Sequence, residues 1–232
     1  TYNRELIEEY LDTYDTGYPD YINKILSEIN NLTYEQGESM DSEQKILLQN
    51  KSDSVYNYFE TNSASLVTNS GKFEYELIKR LIHQSKQFID VITAQSYNYR
   101  DYYMAKNTIW LTTLLNDHTK VVSWAHNGHI NKDPRYNPQG YVLSQELGSN
   151  YKAIGFSFNR GTFQAIKYNR TTNNYYGLTQ HKITKIPPRE SYNYLFYASV
   201  PENIIVIISN LPEPNSLSTW LNTEHKFLSI GS

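Results

Sequence analysis

The stretch "KVVSWAHNGHI", Lys120–Ile130, decides how this chain is expected to fold. Read as a strand through Ala125, it sets His126 just past a strand's carboxyl end, where open α/β sheets place their ligand crevices. Read as a hairpin, it makes Asn127-Gly128 a two-residue type I′ turn, and a second strand must follow at once. The following residues, "HINKDPRYNPQG", contain two prolines and little apolar alternation, and so support a partner strand poorly. The strand-and-loop reading is therefore preferred, with "HNGH" as a loop holding a pair of imidazoles at a strand's carboxyl end.

Working outward from that loop, the two halves of the chain carry different periods. Before it, apolar residues recur at helical spacing: Leu6, Ile7, Tyr10, Leu11 and Tyr14, then Tyr21, Ile22, Ile25, Leu26, Ile29 and Leu32. A third helix is expected to start at Asp41, with Gln44 completing a capping box, and to run toward Phe59. "TNSASLVTNSG" reads as a polar break, Phe73 to Ile92 as a fourth helix and Tyr97 to Asn116 as a fifth. After Lys120, "VVSWA", "AIGFSF", "FQAIKY" and "NIIVIIS" read as strands, with "GYVLSQELG" and "SYNYLFYA" as helices among them. The run "IIVII" suits a strand covered on both faces. The expectation is an α/β fold with a mostly parallel sheet and a large helical subdomain preceding it. Residues 1–116 form the helical subdomain and 117–232 the α/β portion that carries the AHNGH loop.

Composition removes whole classes of function. A chain of 232 residues is long enough to bury a substantial core. Its 21 Lys and Arg against 24 Asp and Glu, without a dense basic cluster, argue against nucleic acid as a partner. Its longest apolar run is far short of the roughly 20 residues that span a bilayer, so no membrane partner is expected. The absence of cysteine excludes disulfides, thiolate zinc sites and a cysteine nucleophile. The start, "TYNRELIEEY", has no apolar signal-peptide core, which makes a cytoplasmic location the expectation. It also lacks an initiating Met, so the chain is expected to be processed or partial.

Three further stretches give the opening one a context. "RDYYMAKNTIWL" (Arg100–Leu111), "KVVSWAHNGHI" and "YVLSQELGSNYKAIGFSFNRGTFQA" (Tyr141–Ala165) together resemble the erythromycin esterase family in content, order and spacing. "ELIEEYLDTYDTGYPDYINKILSEINNL" is similar to that family's first inserted helical segment, and "PPRESYNYLF" to a later loop-helix element. The resemblance implies an α/β sheet with a helical insertion and, in characterised resistance members, hydrolysis of a macrolide lactone. Other relatives carry a label linking them to succinoglycan biosynthesis. The sequence departs from the family's pattern at one point: an upstream Gly-Glu-x-x-x-His segment, whose histidine the resemblance makes the general base, is absent. Gly37-Glu38 is followed by "SMD" and is no substitute for it. A fragment lacking the first strands of the sheet is the corresponding expectation.

The matched residues carry readings in their own right. His126 and His129 flank a tight turn, so one ring could position or protonate while the other holds a substrate carbonyl or a water. Arg100, near a helix start where the dipole favours acids, suggests an anionic partner. His126, His129 and Arg100 are the catalytic candidates, and Asn127, Asn107 and Asp101 the substrate-binding ones. The bland alternatives are a cap for Asp101, a turn-holding amide for Asn127 and satisfied backbone groups beside Asn107. His83, His118, His181 and His225 have no companion ligand at close spacing, and Glu146 reads as a solvated carboxylate. No metal or other cofactor is expected, since "HNGH" lacks a carboxylate at the diagnostic spacing of "HExxH". A divalent metal is the less favoured alternative. No "GxSxG" elbow supports a serine nucleophile, so water is the expected one. The functional expectation is an esterase-like hydrolase acting on a small-molecule ester or lactone. The alternatives are a non-catalytic binding protein of the same fold and a metal-dependent hydrolase completed by an upstream segment.

Overall fold

The computed structural model describes the whole chain except residues 1, 95–96, 115–119, 158–159, 170, 173, 200–214, 222 and 224–232. It divides into two compact units, one formed by residues 1–123 and 132–151, the other by 124–131 and 152–232.

The first unit is built from helices: α1 (Tyr2–Tyr14), α2 (Tyr21–Asn30), α3 (Tyr34–Ser39), α4 (Ser42–Thr61), α5 (Ser63–Ser70), α6 (Lys72–Thr93) and α7 (Tyr97–Leu114). The apolar stripes noted in the sequence are the faces these helices bury. Ile7, Tyr10 and Leu11 of α1 meet Ile22 and Leu26 of α2, Val55 and Phe59 of α4, Leu66 of α5, and Tyr75, Ile78 and Ile82 of α6. Phe59 is fully enclosed, and truncating a phenylalanine in such a place costs about 3–5 kcal/mol. Its backbone carbonyl also accepts the buried Tyr75 hydroxyl at 3.1 Å.

Local chemistry fixes where the helices start and stop. Asp41 Oδ1 accepts from the Gln44 N–H at 2.8 Å while Gln44 Oε1 accepts from the Asp41 N–H at 3.0 Å, the expected capping box. Thr33 and Gln36 repeat the device at α3, with bonds of 3.2 and 2.9 Å. Gly37 lies in α3 because that helix sits on Ile92 of α6: a Cβ at position 37 would stand 2.7 Å from the Ile92 Cβ and 2.9 Å from its carbonyl oxygen. "TNSASLVTNSG" is not the expected polar break. Its Leu66 is buried in the main core, and α5 forms around it before Gly71, at φ 88°, ends the helix.

A smaller core joins α7 to α9 (Gln139–Leu147) through Ala105, Val142 and Leu143, flanked by Ile109, Leu147 and Tyr151.

The second unit carries α8 (Asn127–Ile130), the strands β1 (Gly161–Asn169) and β2 (Asn174–Ile183), α10 (Tyr192–Ser199) and α11 (Ser216–Leu221). β1 and β2 pair antiparallel, Gly161 opposite Ile183 and Ile166 opposite Leu178, with an irregularity between Ile166 and Tyr168. α10 and α11 are tied by the Tyr192 hydroxyl, which lies 2.9 Å from the Leu221 carbonyl and 3.0 Å from that of Thr223.

This arrangement corrects the expected sheet. Among the described residues the sheet is a two-stranded antiparallel hairpin rather than a mostly parallel one. "FQAIKY" lies within β1, but Lys120–Ala125 and the described part of "AIGFSF", Ala153–Ser157, belong to no strand. An apolar run becomes a strand only where a neighbour bonds its backbone and a layer covers its side chains. Val122 and Trp124 instead remain 90% and 83% exposed. The "NIIVIIS" run falls outside the described residues.

Candidate functional site

The turn after Ala125 is one helical turn, not a hairpin: the His126 carbonyl accepts from the His129 N–H at 2.9 Å and from the Ile130 N–H at 3.4 Å. His126 occupies the capping position of α8, and its Nδ1 accepts from the Gly128 N–H at 3.1 Å. His129 follows one turn later, and both rings are half-buried.

Asn127 anchors this turn. Its Nδ2 donates to the Phe156 carbonyl at 2.5 Å and its Oδ1 accepts from the Phe156 N–H at 3.0 Å. A side-chain amide has the same donor and acceptor pair as a peptide group, so Asn127 pairs with Phe156 as a neighbouring strand residue would. The Trp124 and Phe156 rings lie 5.2 Å apart, and Asn131 Nδ2 donates to the Gly128 carbonyl at 2.5 Å. One residue beyond Phe156, Ser157 accepts from the buried Asn193 of α10 at 2.5 Å. The histidine turn is thus held through Asn127 to the 152–157 segment, and that segment to α10.

The remaining candidates lie in the first unit, on α7. Arg100 is exposed in its first turn. Asp101 is buried and accepts from the backbone N–H of Gln139 at 3.1 Å. α9 begins after Pro138, which offers no side-chain cap, so Asp101 provides from another helix the acceptor that the first amide of α9 needs. Asn107 accepts from Arg80 Nη2 at 2.6 Å and donates to Gln87 at 2.9 Å, joining α7 to α6. Arg80 lies over the Trp110 ring, 5.2 Å from its centroid, and its Nε is buried without a hydrogen-bond partner. Burial pulls the Arg80 guanidinium below its ordinary range.

Of the other histidines, His83 and His181 lie among the described residues. His83 is half-buried on α6 near Tyr56, ring centroids 6.1 Å apart, and burial followed by repulsion from Arg80 and Lys86 holds its pKa below the ordinary value. His181 stacks on Phe163 within the hairpin and shares a 3.0 Å hydrogen bond with Thr179. His118 and His225 lie outside the described residues. Glu146 is exposed and paired with Lys106. Among the described residues no three His, Asp or Glu side chains stand close enough to hold a metal ion, and no helix is long and apolar enough to cross a membrane.

Asn127 stands out in the sequence, whereas its partner Phe156, and Ser157 and Asn193 behind it, do not, and Gly128 reads there only as a turn residue. The one available signal was Asn193, an amide in the otherwise aromatic and apolar "SYNYLFYA" helix.

The chain belongs to the erythromycin esterase family, whose profile matches residues 3–232. Two solved structures share its fold. A succinoglycan biosynthesis protein matches 99% of this chain and 55% of its own, with a TM-score of 0.78 and 18% identity. The erythromycin esterase EreC, as a histidine-to-asparagine mutant in its open conformation, matches 85% of this chain and 54% of its own, with a TM-score of 0.62 and 14% identity. The chain therefore spans about half the length of these relatives. No curated protein matches it.

Proposed function

We propose that the protein to which this chain belongs is an esterase-like hydrolase that cleaves an ester or macrolide-lactone bond by attack of water. The observation that carries this reading is the histidine turn: two imidazoles one helical turn apart, fixed by the Asn127 clamp on Phe156, in a member of the erythromycin esterase family. Water adds to the carbonyl carbon, a base takes its proton, the carbonyl oxygen becomes an oxyanion, and the acyl C–O bond breaks as the alcohol leaves with a proton. His126 and His129 face the reacting carbonyl and water. Arg100 joins them on the strength of its motif alone and would offset the developing negative charge. Asn127 holds the turn, while Asp101 and Asn107 brace α7 within its own unit.

The test is hydrolysis of an activated ester and of a macrolide lactone by the complete protein, wild type and His126→Ala, with thermal unfolding in parallel. Turnover that falls in a stably folded His126→Ala variant supports the reading. Saturable lactone binding without turnover in the wild type favours the non-catalytic binding protein. Activity lost to a chelator and restored by a divalent ion favours the metal-dependent hydrolase.

A further inference from the structure

Charge is unevenly placed along this chain. Between Glu146 and Glu190 there is no Asp or Glu, yet seven of the 21 Lys and Arg fall there, and the other 14 stand against all 24 acids. The centre of that acid-free stretch is the β1–β2 hairpin. A strand turns alternate residues to opposite faces, and the two faces of this hairpin differ. Phe163, Ala165, Thr179 and His181 are half-buried, with the Phe163 and His181 rings stacked. On the other face the opposed pairs Thr162–Lys182, Gln164–Gln180 and Ile166–Leu178 all lie open to solvent. Toward the tip the open surface becomes apolar and aromatic. Ile166 and Leu178 are 59% and 71% exposed, and past the irregularity the Tyr168 and Tyr175 rings lie 4.8 Å apart, exposed together with Tyr176. Lys167 reaches over the Tyr176 ring, 5.7 Å from its centroid, and Lys182, Lys185 and Ile186 are exposed as well.

We infer that this hairpin is a docking surface for a lipid bilayer rich in anionic headgroups. The inference is independent of the hydrolase reading. A directly opposed aliphatic pair left open to water is a cost unless something apolar receives it. The acyl boundary of a membrane receives Ile166 and Leu178, and tyrosine suits the headgroup level. Lysines lay their stems along apolar surface and keep their ammonium groups at the phosphates. The absence of carboxylates matters as much as the presence of lysines: it lets this stretch approach a negative surface that repels the acidic remainder of the chain. A polynucleotide would meet the same charges, but its bases stack on aromatic faces and would leave Ile166 and Leu178 unused. Contact of this kind lies on a bilayer without crossing it, so the shortness of the chain's apolar runs is no obstacle.

The test is flotation of the 232-residue chain with vesicles of phosphatidylcholine alone and of phosphatidylcholine with phosphatidylglycerol in equal parts. The chain should float with the second and hardly with the first, and less as salt is raised. Replacing three exposed cations, Lys167→Glu with Lys182→Glu and Lys185→Glu, should weaken binding to anionic vesicles at least about tenfold. Leu178→Gln, a milder change at an exposed position, should weaken it severalfold and serves if the triple variant does not fold. No binding to anionic vesicles by the wild type, or unchanged binding by a folded variant of either kind, overturns the inference.

Insertion has a separate readout. The chain has no cysteine, so Leu178→Cys accepts a single environment-sensitive dye, and Leu47→Cys, at an exposed position on α4, provides the control. The dye at 178 should brighten and shift to the blue on anionic vesicles while the dye at 47 does not, and equal responses at the two places overturn the inference. Tight binding of a single-stranded oligonucleotide without vesicle binding assigns the surface to a polynucleotide instead. A dimer in sedimentation equilibrium that Leu178→Gln splits, again without vesicle binding, assigns it to a second copy of the chain. Either result also overturns the membrane assignment.

Discussion

Asn127 and Phe156, 29 residues apart in sequence, are joined by two hydrogen bonds that use both ends of one side-chain amide. The contact makes Asn127 the hinge pin of the histidine turn, and it predicts an order among substitutions. Asn127→Ala removes both bonds. Asn127→Asp keeps the acceptor for the Phe156 N–H but turns a carboxylate oxygen toward the Phe156 carbonyl, where two acceptors face each other. Amide hydrogen exchange at Phe156 should quicken in Asn127→Ala, and both variants should lose turnover in the complete protein. Unchanged exchange at Phe156 in Asn127→Ala would remove the clamp from this account.

Gly37 predicts a stability change far from the loop. An alanine Cβ at 37 would meet the backbone carbonyl of Ile92 at 2.9 Å as well as its side chain, and backbone cannot swing aside. Overpacking of this kind typically costs about 1–3 kcal/mol. Gly37→Ala should therefore lower the midpoint of thermal unfolding, whereas Gly17→Ala, with open space around it, should leave it nearly unchanged.

Asp101 separates a cap from a substrate ligand. Its buried carboxylate serves the first amide of α9, and loss of a helix cap costs about 0.5–2 kcal/mol. Asp101→Ala should destabilise the protein by that order in urea unfolding, and Asp101→Asn, which keeps an acceptor, by less. A raised KM with unaltered stability would instead return Asp101 to the substrate.

His83 gives the chain a pH dependence of known sign. Desolvation is the largest influence on it, Arg80 and Lys86 add repulsion and Asp90 opposes them, so its folded pKa lies below the ordinary value of about 6.5. Tyr56 of α4 packs against it without reversing the direction. The folded state then binds fewer protons than the unfolded one. Its contribution is complete above about pH 6.5 and is lost as pH falls from there through the lowered folded value. Urea midpoints should decline on acidification across that window, and His83→Gln should flatten the decline.

What was legible in the sequence follows from how local each cause is. Helices α1, α2 and α6 repeat an apolar stripe every turn, and the Asp41–Gln44 box that starts α4 is contained within four residues. α5 was missed because its single buried anchor, Leu66, is hidden among polar residues and is bought into the core by other helices. The strands failed for the opposite reason: "VVSWA" has the composition of a strand, but pairing is a property of two segments. β2 escaped notice because "NYYGLTQHKI" is mostly exposed and shows no clean alternation. In the site, the residue types of "AHNGH" were legible, while the direction of each hydrogen bond was not. Nothing in the string says that Asn127 will face Phe156 or that His126 will face the amide of Gly128.

The histidine turn leads to a prediction about turnover. If His126 acts on the reacting carbonyl, as the hydrolase reading has it, its removal should lower kcat more than it raises KM, because such a contact matters most when the oxygen is charged. The loss of one such donor is typically worth about 10²–10³-fold in kcat. The turn caps itself at the surface and contributes no buried side chain to a core, so His126→Ala should leave the unfolding midpoint of the complete protein within a few degrees of wild type.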